Sequence, residues 1–120
     1  MGNTGSIGSI GSYIIYKCTF PNGKMYIGQT NRSLDERIKE HFRDAMNPRC
    51  RKYNIEFYKQ IREVGPINVC FKIIDHAETQ EELNEKEKFW IAYYNTDMHK
   101  PNSNGYNMSE GGEGWSKYRN

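Results

Sequence analysis

Residues 13–27 read YIIYKCTFPNGKMYI, and the Pro21-Asn22-Gly23 break inside this run limits the fold more than any other feature. Tyr, Ile, Thr and Phe favour extended backbone, so two strand-forming runs around such a break predict a β-hairpin. Pro21 followed by Asn22 suits a type I turn, and Gly23 suits the left-handed residue closing a three-residue loop with a bulge. Pairing Phe20 with Lys24 sets Cys18 opposite Tyr26 and Tyr16 opposite Gly28, which brings Tyr16 and Tyr26 to one face. A two-residue Asn22-Gly23 loop would slip the register by one residue and send them to opposite faces.

Ser33-Leu34-Asp35-Glu36 is a capping box, and it opens a helix with Leu34, Ile38, Phe42 and Ala45 as its buried stripe. Arg37 and His41, at i and i+4, share the flank beside that stripe and can reach one object together. The basic run Asn47-Pro48-Arg49-Cys50-Arg51-Lys52 follows, and it reads equally as a nucleic-acid backbone contact or a solvated linker. Asn54 is placed to cap a second helix with the stripe Phe57, Tyr58, Ile61 and Val64, stopped by Gly65-Pro66. Val69, Phe71 and Ile73 alternate with polar residues as a third strand.

Thr79-Gln80-Glu81-Glu82 is another capping box, opening a long helix that runs to about Asn95. Its apolar positions are Leu83, Phe89, Trp90, Ile91, Tyr93 and Tyr94. Glu87 lies at i+4 from Leu83 and i−3 from Trp90, on the stripe expected to face the protein. A carboxylate there must be paired or bound to a cation, because burying it alone is costly. Beyond Thr96 the chain turns rich in Asn, Gly and Ser, which predicts irregular backbone. The order strand, strand, helix, helix, strand, helix predicts an α+β fold: a three-stranded antiparallel sheet flanked by helices in a single small domain.

Composition narrows what such a domain can be. At 120 residues one domain is the default, and 36% hydrophobic content with mean hydropathy −0.93 leaves a small core that leans on aromatics. Nine tyrosines then place many phenols at the surface or in a polar cleft. A net charge of +2 is too small to identify a polyanionic partner by itself. Cys18, Cys50 and Cys70 are an odd number without metal-site spacing, which argues against a disulfide framework or a zinc site and fits a reduced, intracellular compartment. No apolar run approaches the roughly 20 residues of a membrane span, so a soluble protein is expected. MGNTGS matches the N-myristoylation pattern with Gly2 as acceptor, yet residues 1–12 read as a flexible Gly/Ser-rich leader. Residues 13–114 are the expected domain, and 115–120 a C-terminal tail.

Tyr16 on the hairpin, Tyr26-Ile27-Gly28 across from it, Arg37 and His41 on the next helix, Glu87 within Glu-Lys-Phe-Trp, and Gly105-Tyr106-Asn107 together resemble the GIY-YIG nuclease family. The likeness runs from Tyr13 to about Gly114, with Ile14 standing where the family has its leading glycine. It implies a three-stranded antiparallel sheet flanked by helices, and hydrolysis of double-stranded DNA with one divalent cation, Mg²⁺ or Mn²⁺. It also implies that Tyr16, Tyr26, Arg37, His41, Glu87 and Asn107 hold the family's functional positions, with Glu87 as metal ligand. Gly111-Gly112-Glu113-Gly114 is similar to the exit from the catalytic domain in homing-type members, so a catalytic module by itself, or a small member of another branch, is expected.

The chemistry that resemblance implies suits these residue types. Arg37 presents a fixed fork to phosphate oxygens, and Glu87 is a hard oxygen ligand that leaves most of a Mg²⁺ shell to water and phosphate. Tyr16 either takes the proton from the attacking water, with its pKa lowered by the metal, Arg37 or His41, or only orients that water while His41 is the base. Each residue also has an ordinary structural explanation: cross-strand aromatics for the tyrosines, an ion pair with Glu40 or Glu36 for Arg37, local hydrogen bonds for His41, and a turn for Asn107. A non-catalytic nucleic-acid-binding module of the same fold, and a protein-interaction domain using exposed tyrosines, are the competing functions.

Overall fold

The hairpin forms with the three-residue loop, because Gly23 takes φ +89° and no side chain is asked to follow it there. Its N–H donates to the Phe20 carbonyl at 2.8 Å, and the Phe20 N–H donates to that of Lys24 at 2.9 Å. Strands β1 (Ile14–Thr19) and β2 (Met25–Thr30) then pair antiparallel with Cys18 opposite Tyr26 and Tyr16 opposite Gly28. Tyr16 and Tyr26 both turn an edge toward the His41 ring, so the phenols do share a face. This is a computed structural model, and it describes residues 13–112; the expected leader at 1–12 and tail at 115–120 lie outside the described residues.

Helix α1 (Leu34–Ala45) starts where the capping box predicts, with the Ser33 hydroxyl accepting from the Glu36 N–H at 3.1 Å. Helix α2 (Glu56–Val64) is entered from Ile55 and not from Asn54, and no side chain caps it. Successive turns, Tyr53 N–H to Cys50 and Ile55 N–H to Lys52, each at 3.0 Å, carry the chain past Asn54 before the helix begins. Gly65, at φ +89°, stops it, and a short 3₁₀ turn over Pro66–Asn68 leads into β3 (Cys70–His76). Helix α3 (Gln80–Tyr94) is capped by Thr79, which accepts from the Glu82 N–H at 3.0 Å, and closes on left-handed Asn95.

The sheet order is β2-β1-β3, antiparallel at both pairings, so β1 is central and β2 is an edge strand. Beside β3 the register shifts between Ile15 and Tyr16, which leaves Ile74 as an extra residue. This bulge modifies the expected alternation. Ile74 packs against the apolar cluster under α3, whereas Ile73 joins neither cluster and is 40% exposed.

The two faces of the sheet carry separate cores. Cys18, Phe20, Ala45, Phe57, Tyr58 and Ile61 pack on the α1/α2 side, and Ile15, Ile27, Ala77, Leu83 and Ile91 pack under α3. Helix α1 is rotated relative to the expected stripe: His41 and Ala45 are its buried residues, while Leu34, Ile38 and Phe42 are half-buried. The cause is polar, since His41 finds hydroxyl partners only by pointing at the sheet and α2. Likewise α3 buries Leu83 and Ile91 but leaves Phe89 and Tyr93 facing outward. No helix among the described residues is long and apolar enough to cross a membrane.

Candidate active site

An edge strand offers unpaired backbone, and residues 104–107 cover half of it. The Met25 N–H donates to Asn104 and its carbonyl accepts from Tyr106, at 2.8 and 3.0 Å. Asn107 continues the pairing with its side chain: Nδ2 donates to the Ile27 carbonyl at 2.8 Å, and Oδ1 accepts from the Ile27 N–H at 2.9 Å and from the Thr96 hydroxyl at 2.7 Å. Gly105 allows this close approach, since a Cβ there would come within 2.3 Å of the Met25 carbonyl oxygen. Asn107 is therefore a strut between distant segments and serves more than its own turn.

Gln29 and Thr30, at the other end of β2, line a cavity of about 620 Å³. Because it lies at the edge, side chains from both faces of the sheet reach it. Tyr16, Tyr26 and Arg37 come from the α1 side, Glu87 and Ile91 from α3, and Asn107 from the covering segment. Gly28 is what admits Tyr16: a Cβ on Gly28 would come within 2.3 Å of the phenol ring and oxygen, so the ring lies across the bare backbone. Arg32, Arg51 and Lys52 line the same cavity and place cationic side chains around it.

Tyr16 is fully buried, and its hydroxyl lies 2.6 Å from His41 Nε2. Burial pushes the phenol up to about 12, opposed by the Arg37 guanidinium beside it, so at neutral pH it is protonated. His41 is 2% exposed, and its Nδ1 lies 2.9 Å from the Tyr58 hydroxyl. Burial, with the Arg37 and Lys52 charges, holds its pKa well below the usual histidine range, so the imidazole is neutral. Both ring nitrogens thus meet phenols, and His41 does not itself line the cavity. Burial also raises Tyr26, whose ring stacks on Phe57 at 3.8 Å.

Arg37 does pair with Glu40, Nη1 to Oε1 at 2.6 Å, and Arg32 shares the same carboxylate oxygen. The pair is partly exposed and orients the guanidinium while leaving it on the cavity wall. Glu87 is half-buried there, with Oε1 accepting from Gln29 Nε2 at 3.0 Å and from the Gly112 N–H at 3.2 Å. Lys86 turns away to Asp75 and Glu82.

Among the described residues no three His, Cys, Asp or Glu side chains converge as a metal cluster. A single carboxylate on a polar cavity wall still fits Mg²⁺, which keeps much of its shell as water and substrate oxygens. Mn²⁺ takes the same oxygen ligands, whereas zinc, copper and iron–sulfur sites want imidazole or thiolate.

Two contributors were not legible as such in the sequence. Tyr58 sits on the apolar stripe of α2 at helical spacing, and its polar use appears only once His41 is placed against it. Gln29 is a half-buried polar residue on the same face of β2 as Ile27, and nothing local shows that Gln80, Asn84 and Glu87 converge on it. In comparison with known proteins, the model of the GIY-YIG catalytic domain matches residues 10–107. No curated protein and no solved structure matches the chain.

Proposed function

Since this chain belongs to the GIY-YIG nuclease family, we propose that it is an endonuclease hydrolysing phosphodiester bonds of double-stranded DNA with one divalent cation, Mg²⁺ or Mn²⁺. The observation that carries this reading is the meeting of Arg37, Tyr16 and Glu87 at one cavity, from opposite faces of the sheet. Arg37, braced by Glu40, directs its guanidinium at a non-bridging phosphate oxygen and offsets charge there. Glu87 holds the cation, which when bound supplies Lewis-acid stabilisation of the phosphate.

Tyr16 is the group that meets the attacking water, and His41 acts through it, because both imidazole nitrogens face phenols rather than the cavity. As a base, Tyr16 must first pass its own proton to His41 Nε2, 2.6 Å away. Gly28 leaves room for that phenol, Tyr26 turns the edge of its ring to His41 on the same face, and Asn107 keeps β2 in register beside it. Ile14, which replaces the family's leading glycine, is a buried residue of β1 and does not line the cavity, so it leaves this arrangement intact.

Supercoiled plasmid incubated with the protein, in Mg²⁺ or in EDTA, tests the proposal. Nicked or linear product is expected in Mg²⁺ alone. Salt-dependent binding without cutting would leave a nucleic-acid-binding module, and no salt-dependent binding would remove both readings.

A further inference from the structure

Tyr58 is a tyrosine that the reaction described so far does not use. Its ring packs in the core with Phe57, and its hydroxyl meets His41 Nδ1 at 2.9 Å while Tyr16 meets Nε2 at 2.6 Å. We infer that Tyr58 is a positioning residue that completes a Tyr16–His41–Tyr58 proton relay and lets Tyr16 ionise without leaving a charged imidazole in the core. This rests on the endonuclease reading for its purpose and on the hydrogen-bond geometry for its parts.

A buried neutral imidazole has one ring N–H and one bare ring nitrogen. It donates from one nitrogen and accepts at the other, so its two partners must be an acceptor and a donor. With Nδ1–H donating to the Tyr58 oxygen, Nε2 accepts the Tyr16 proton. Once that proton arrives, His41 would be an imidazolium at 2% exposure, beside Arg37 and Lys52, which its surroundings oppose. The charge is avoided if Nδ1 gives its proton to the Tyr58 oxygen as Tyr58 releases its own to water in the cavity, which Tyr58 also lines.

The bonds balance. The Tyr16 O–H, His41 Nδ1–H and Tyr58 O–H break; the His41 Nε2–H and a new Tyr58 O–H form; one proton leaves to solvent. Afterwards Nε2–H donates to the Tyr16 phenolate and Tyr58 donates to Nδ1. Only a hydroxyl serves both states, since a carbonyl or carboxylate accepts alone. The charged groups facing the relay are Arg37 and Asp44 of α1, Lys52 of the basic loop and Glu87 of α3. The other titratable neighbours are Cys18, Cys50 and Tyr26.

Nicking rates measured from about pH 6 to 10 for the wild-type protein and Tyr58→Phe test this, with 15N NMR of the His41 ring recorded for both. At neutral pH the variant should cut about 100-fold more slowly, the scale of one proton-transfer catalyst. The deficit should shrink as pH rises and solvent takes the proton directly, with DNA binding unchanged. Equal rates throughout, or a loss identical at every pH, overturns the relay. If the wild-type protein cuts under no condition, the endonuclease reading fails separately, and the NMR still decides: a changed His41 tautomer population in Tyr58→Phe supports the relay, and unchanged ring nitrogens overturn it. Should Tyr58→Phe not fold, 3-fluorotyrosine at position 58 replaces it. A rate profile moved to lower pH supports the inference, and an unmoved profile overturns it.

Discussion

Both faces of β1 are buried, but they are built from different material. On the α1/α2 face the polar side chains of Tyr16, His41 and Tyr58 are buried to 2% exposure or less, and two hydrogen bonds satisfy them in series. On the α3 face the buried residues are aliphatic, chiefly Ile15, Ile27, Leu83 and Ile91, while Gln29, Asn84 and Glu87 lie half-buried at the margin. A polar group is tolerated at the centre of a core when each partner satisfies the next; otherwise it stays at the edge, where water and neutral amides can reach it. The first face therefore holds a proton in place, and the second holds a carboxylate near solvent. The cavity at the β2 edge brings the two together.

Glu87→Gln tests the carboxylate side most severely. The amide keeps the shape and can still accept from the Gly112 N–H, so melting temperature and DNA binding should hold. Cleavage should fall about 10³-fold or more, several kcal/mol of transition-state stabilisation at ~1.4 kcal/mol per tenfold. A stable and active variant would remove Glu87 from the metal assignment. A variant that loses stability instead would make the carboxylate a structural member of the α3 face.

Leu83→Ala asks whether that face is otherwise purely structural. Leu83 is fully buried in the aliphatic cluster, and truncation there should cost about 2–5 kcal/mol in denaturant unfolding. The cleavage rate per folded molecule should stay within a few-fold of wild type. A large rate loss with little change in stability would show that the two faces are more tightly coupled than the packing implies.

The smallest effect belongs to the relay face. His41 has a folded-state pKa well below its unfolded value near 6.5, so below that pH the unfolded chain binds a proton that the folded one refuses. Stability should fall as pH drops below about 6.5, with a slope approaching ~1.4 kcal/mol per unit, and His41→Gln should flatten it. The lowered carboxylates Glu40, Asp75 and Glu82 act in a more acidic window, below about 4.5. An unflattened slope in His41→Gln would show that His41 is not what makes this face acid-sensitive.

Much of the fold is local and was legible. Pro21-Asn22-Gly23 sets the loop, the loop sets the register, and the register puts Tyr16 and Tyr26 on one face. The capping boxes at Ser33 and Thr79 mark helix starts, because one short side chain and one N–H three residues later suffice. Asn54 fails as a cap because preceding turns decide where the chain enters α2, and Ile73 fails as core because a bulge against β1 supplies Ile74 in its place. The first miss is local, because the turns from Cys50 to Ile55 win over the cap, whereas the second comes from a partner strand far away in the chain.

The site divides in the same way. The amino-acid order alone determined the hairpin register, the helix that carries Arg37 and His41, and the family to which these spacings are similar. Only the tertiary structure decided that β2 is an edge strand, half covered by residues 104–107, so that side chains from both faces can meet around it. It also decided that His41 turns inward to Tyr16 and Tyr58, against the apolar stripe of its own helix. Periodicity reports which residues prefer to leave water, but a buried hydroxyl or imidazole is acceptable only where a partner waits, and here the partners stand 17 and 25 residues away in the chain.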